Sequence, residues 1–153
     1  MNGIIEVFLL SLVPTFEGRY AIVYGIGGGY PLWETLLTAA LGVLLLSIAL
    51  PAALPYIDRI MLWLENTPLK KLARLYLYYV ERVRKKARPY VEKWGFLGLI
   101  VFVAIPLPGT GIWTGSLAAY LLGIGKKQTV PALVLGGLLS MAITVLPALG
   151  LFG

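Results

Sequence analysis

Two stretches of this chain stay uncharged for longer than a small soluble fold can use: residues 35–57, 23 in number, and residues 128–153, 26 in number. At about 1.5 Å per residue, either one as a helix crosses the roughly 30 Å of hydrocarbon in a bilayer. Of the 153 residues, 59% are hydrophobic and 13% charged, against about 45–50% and 25% in ordinary soluble domains. A chain this short exposes too much of its surface to hide so many apolar side chains in a core. Spanning helices are therefore expected at 35–57 and 128–150. Pro51, Pro55 and Pro147 lie toward their ends, where a membrane helix tolerates a kink.

The charge is concentrated. Residues 58–93 hold ten basic residues and four acids, which accounts for the whole net charge of +6. Beside spanning helices, such a segment is held in the cytoplasm. That sidedness, rather than nucleic-acid binding, is the reading of the basic balance. The chain has no cysteine and no histidine, which excludes disulfides, thiolate chemistry, zinc-type sites and the usual catalytic base. No nucleotide loop, metal cluster or catalytic triad appears, so neither an enzyme nor a cofactor is expected. The opening Met1-Asn2-Gly3-Ile4-Ile5-Glu6 lacks the positive n-region and small-residue cleavage site of a removed signal peptide.

The other apolar stretches are broken. Residues 4–33 are interrupted by Pro14-Thr15-Phe16-Glu17-Gly18-Arg19, and residues 94–125 by Pro106-Leu107-Pro108-Gly109-Thr110-Gly111. Each break leaves two limbs of about 10–14 residues, too short to cross alone. Proline and glycine there stop a helix and favour a turn. One long kinked helix is the alternative. A re-entrant hairpin at 94–125 fits better, because it returns Lys126 and Lys127 to the cytoplasmic side.

A shift of 94 residues lays Pro14 on Pro108, Gly29 on Gly123 and Gly42 on Gly136. Each half then reads hairpin, glycine-rich exit, spanning helix, entered from opposite sides. The expected fold is an all-α integral membrane protein, an inverted repeat of re-entrant hairpin plus transmembrane helix. Its first repeat is 1–57 (hairpin 4–33, helix 35–57) and its second 94–153 (hairpin 94–125, helix 128–150). The basic linker 58–93 joins them. Within it, Leu69, Leu72, Tyr76, Tyr79, Val80 and Val83 recur at helical steps, with Pro68 opening the helix and Pro89 just past its end. This predicts an amphipathic helix at the membrane surface, with residues 70–88 toward anionic lipid headgroups. A solvated linker helix is the alternative.

Glu17 and Arg19 are the only ionisable groups that this layout puts near mid-membrane, where a charge normally serves a pathway or a partner. Glu17 is a candidate proton carrier. It also suits the first turn of its own returning half-helix, with Arg19 as its ion partner or bound to lipid phosphate. Gly18 lies between them. In the second break, Gly109 and Gly111 offer backbone amides, and Thr110 is a candidate cap for a half-helix from 111 to 122. Both half-helices would aim positive ends at mid-depth, suited to an anion. Trp113, Thr114, Ser116, Tyr20 and Tyr24 are placed to line the same space.

At these two motifs, Pro14-Thr15-Phe16-Glu17-Gly18-Arg19 with the glycine-rich exit to Pro31, and Pro106-Leu107-Pro108-Gly109-Thr110-Gly111-Ile112-Trp113-Thr114-Gly115, the chain resembles the small multidrug export protein family. Its layout is similar to that of the DedA superfamily. That resemblance implies two re-entrant hairpins in a prokaryotic multi-pass cell-membrane protein that moves polyprenyl phosphate or other phospholipids. Glu17 matches the membrane-embedded acid of those relatives. Arg19 must supply their cation, since no arginine lies between Lys93 and Lys126. The expected function is a lipid translocase or small transporter, probed against two alternatives, export of small cationic compounds and a non-transporting scaffold. Two short hairpins need protein around their turns, so a homodimer or higher homo-oligomer is expected.

Overall fold

A computed structural model describes residues 2–14, 16–106 and 110–152. These residues form seven helices and no strand: α1 (Asn2–Leu12), α2 (Glu17–Gly27), α3 (Leu32–Leu64), α4 (Lys70–Trp94), α5 (Phe96–Ala104), α6 (Ile112–Leu121) and α7 (Lys126–Phe152). Two of them, α3 and α7, are long and apolar enough to cross a membrane. Both overrun the uncharged stretches that mark them in the sequence. α3 continues through Pro51 and Pro55 to Leu64, and α7 begins at Lys126 and passes Pro131 and Pro147. A proline inside a helix forfeits one backbone bond, which neighbouring helices offset where the segment is packed.

The short helices pair off. α1 and α2 fold back on each other: the Tyr24 hydroxyl bonds the Glu6 carboxylate, and the Tyr30 ring covers Gly3. α5 and α6 also contact each other, and the Thr110 hydroxyl donates to the Ile105 carbonyl between them. Each long helix packs on both pairs, α7 against α5 and α2, and α3 against α1, α2 and α6. Small residues make these crossings close. Gly137 meets Val43 and Ile112, Gly136 meets Val103, and Gly115 meets Val103 and Leu133, as expected where packing rather than hydrophobic exclusion joins membrane helices. The outside stays apolar, with Leu37, Leu41, Leu44 and Ile48 exposed on one face of α3. A face of that kind suits hydrocarbon.

The ends of α2 and α6 are built alike. Gly28 and Leu122 each donate to the carbonyl four residues back at 2.9 Å. Tyr30 donates to Gly25 at 3.0 Å and Ile124 to Ala119 at 2.9 Å. Gly29 and Gly123, which end these helices, both have φ of 77°. Each of these pairs lies 94 residues apart, as do the first residues of α3 and α7.

α4 departs from its sequence outline. Pro68 lies in the preceding turn, and Pro89 is inside the helix, which ends at Gly95 (φ 58°). Docking explains the extension, because the last turns of α4 press on α5. A Cβ on Gly98 would sit 1.9 Å from the Tyr90 carbonyl oxygen. The buried edge is Ala73, Val80, Val83 and Ala87, the last three packed with Leu54, Phe102, Leu117 and Ala118. Leu69, Leu72 and Tyr79 of the sequence stripe are exposed. Tyr76 and Tyr120 both donate to the Asp58 carboxylate (2.9 and 3.3 Å), tying α4 and α6 to the end of α3. Gly98→Val should loosen this docking. Overpacking of this kind costs about 1–3 kcal/mol, which raises the locally open population roughly 5- to 150-fold. Amide hydrogen exchange across residues 87–94 would read it, and unchanged exchange there would refute the contact.

Candidate functional site

The site forms where the two broken helix pairs meet. Glu17 opens α2 with a left-handed backbone (φ 53°), unusual for a residue with a side chain. Helical bonding brackets it, since its own amide donates to the Val13 carbonyl at 3.0 Å and the Tyr20 amide to Phe16 at 3.2 Å. Glu17 and Arg19 therefore belong to α2 rather than to the break, and both are buried, at 2% and 1% exposure.

The Glu17 carboxylate crosses to the other pair. The Ile112 amide donates to its Oε2 at 2.7 Å and the Trp113 amide to its Oε1 at 3.1 Å. Glu17 thus caps α6 rather than its own helix, placing a negative charge on that helix's positive end. Gly111 lets it approach: at φ 109°, ψ −167° it stands so close that a Cβ would lie 2.4 Å from Glu17 Oε2 and 3.0 Å from the Arg19 guanidinium.

Arg19 grips the turn before α6. It donates to the Ile105 carbonyl (2.8 Å), the Thr110 carbonyl (2.8 Å) and Thr110 Oγ1 (3.0 Å). The Thr110 hydroxyl donates onward to Ile105 at 2.5 Å. Thr110 therefore serves Arg19 and the turn and does not cap α6, which has no side-chain cap at its Gly111 N-cap position. No direct Glu17–Arg19 ion pair closes, because each side chain is committed to a separate part of residues 105–113. Tyr20 donates to Pro106 (2.9 Å) and the Trp113 indole to Leu12 (3.1 Å), lacing both breaks together. Gly18 has no room for a side chain between Val43 and Met141. Thr114 is buried one position beyond the capped amides. Gly109 lies outside the described residues, as do Thr15, Leu107 and Pro108.

Little space remains around the two charges. Ser140 of α7 joins Val43, Val103 and Gly137 in closing it, with no opening for a water. Arg19 Nε and Ser140 Oγ have no hydrogen-bond partner among the described residues. Ser140 escaped sequence analysis; its one available signal is a hydroxyl three residues after Gly137 in an apolar helix. Among the described residues, no three His, Cys, Asp or Glu side chains gather in a way that would hold a metal.

Residues 17–143 match the family model described as "Putative small multi-drug export protein". The chain belongs to this family. The match begins at Glu17 and takes in the whole of the Glu17–Arg19 junction with residues 105–113. Membership, together with the two long apolar helices, makes this small multi-drug export family chain a membrane protein. No curated protein and no solved structure matches it.

Proposed function

We propose that the chain is a proton-coupled membrane transporter in which two re-entrant helix pairs, related as an inverted repeat, alternate access to the Glu17–Arg19 junction. The family name, that of an exporter, supports transport. The backbone bonds and helix starts recurring at a 94-residue shift support the repeat. Lys126 sits with Pro51, Pro55 and Tyr120, near the Asp58 end of α3. That placement supports a second hairpin returning to the side of the basic segment, which we take as cytoplasmic.

The observation that carries this reading is the buried Glu17 carboxylate on the Ile112 and Trp113 amides of the opposite pair. Those amides are an anion site filled by the protein's own anion. Protonating Glu17 removes the charge that the α6 end holds. An anionic headgroup, such as that of a polyprenyl phosphate, then takes the amides with Arg19 beside it. Proton and anion move together, because only a neutral Glu17 vacates the site. A homodimer or higher homo-oligomer belongs to this proposal, as Val13, Pro14 and Phe16 of the first break remain exposed. No catalytic step is assigned.

The test is reconstitution in liposomes. Translocation of a labelled anionic polyprenyl phosphate should rise at least fivefold with an imposed pH gradient, and Glu17→Gln should abolish that dependence. Gradient-driven uptake of cationic dyes instead would establish the exporter alternative suggested by the family's name. A folded protein that moves neither would be the scaffold.

A further inference from the structure

A second cavity, of about 790 Å³, opens between α4 and α6, within the range of small-molecule sites. Its wall is a single helix edge, Leu75, Tyr78 and Tyr79 followed by Arg82, Lys85 and Lys86. From Leu75 to Lys86 is about 16 Å along the helix, so the lining passes from apolar and aromatic at one end to cationic at the other. None of the described lining residues is acidic. The nearby acids of α4 are engaged elsewhere, Glu81 with Arg84 at 3.0 Å and Glu92 with Arg88 at 2.8 Å. The Arg82 guanidinium lies 5.7 Å from the centre of the Tyr78 ring, a cation–π contact that orients it.

The far side of the cavity is Thr114, which directly follows the two residues whose amides Glu17 holds. α4 thus brings to the second helix pair the cations that residues 94–125 lack.

We infer that the α4–α6 cavity binds an anionic amphiphile, its hydrocarbon against Leu75 and Tyr78 and its headgroup on Arg82 and Lys85, next to the Glu17-capped end of α6. This deepens the transporter reading and rests on it for the identity of the ligand as substrate. The charge complementarity excludes organic cations from the site, whatever the family name implies.

The full chain in a non-ionic maltoside would be titrated with dodecyl phosphate, dodecyltrimethylammonium and inorganic phosphate. Dodecyl phosphate should bind saturably, and the other two at least tenfold more weakly. Arg82→Gln/Lys85→Gln should weaken dodecyl phosphate at least tenfold with an unchanged melting temperature, since both side chains are exposed. Lys70→Gln/Lys71→Gln, on the same helix outside the cavity, should leave binding intact. Equal losses in the two double variants, or equally tight binding of the cationic amphiphile, would overturn the site. Binding through Arg82 and Lys85 without transport would uphold the site and sink the transporter reading. Transport in a chain whose Arg82→Gln/Lys85→Gln variant binds like the wild type would do the reverse.

Discussion

Gly111→Ala should deprive the chain of most of its stability. Backbone at φ 109°, ψ −167° is open to glycine almost alone, and forcing a side chain into it costs about 1–3 kcal/mol. The new Cβ also strikes Glu17 Oε2, 2.4 Å away. Moving that carboxylate forfeits two charge-assisted hydrogen bonds of about 1.5–3 kcal/mol each. The combined loss, about 4–9 kcal/mol, rivals the whole stability of a typical domain, about 5–15 kcal/mol. The expected result is loss of monodisperse protein on size exclusion, or a melting temperature lowered by more than 10 °C. A double-mutant cycle isolates the contact. In a Glu17→Ala background the carboxylate is gone, so Gly111→Ala should cost only its backbone strain. Strictly additive costs would show that the two groups do not meet.

Arg19→Met should be nearly as severe. It takes the guanidinium bonds away from the Ile105 and Thr110 carbonyls, although the Thr110 hydroxyl still donates to Ile105, and it leaves the Glu17 charge without its nearby cation. Removing one partner from a buried charge arrangement costs about 3–5 kcal/mol. Arg19→Lys should recover only part of this, because a point cation cannot reach two carbonyls and a hydroxyl in the fork that a guanidinium provides. The informative variant is Glu17→Gln/Arg19→Met, which removes both charges. It should unfold at a higher temperature than Arg19→Met alone, since no unpaired charge stays buried. A double variant less stable than Arg19→Met would show that the two charges do not compensate each other.

Much of this was legible in the sequence for physical reasons. An uncharged run of 23 residues has few other fates, so α3 and α7 were plain, although their ends were not. Charge marks where hydrocarbon stops, not where hydrogen bonding stops, and α3 therefore continues past Asp58 to Leu64. The breaks near residues 14 and 106 followed from proline and glycine chemistry. Glu17 and Arg19 stood out because charge is scarce in apolar sequence. Their partners did not. Nothing in local pattern says that Glu17 caps a helix 95 residues away, or that Thr110 serves Arg19 instead of α6. α4 was half legible. Its helical period was clear, but Ala73 and Ala87 give too weak an apolar signal to mark the docked edge, while Leu69 and Leu72 mark an exposed one.

The left-handed backbone at Glu17 has a mechanical consequence. Gly111, which meets its carboxylate, is also at positive φ, a backbone that glycine holds at no steric cost. At Glu17 a φ of 53° works against the side chain, by roughly 1 kcal/mol or more. It is offset only while the carboxylate grips the α6 amides. Once that grip is lost the strain has no offset, and Arg19 and Tyr20 still hold the first turn of α2 to the junction. The junction therefore concentrates its strain in one residue, and letting go of that carboxylate is what would release it.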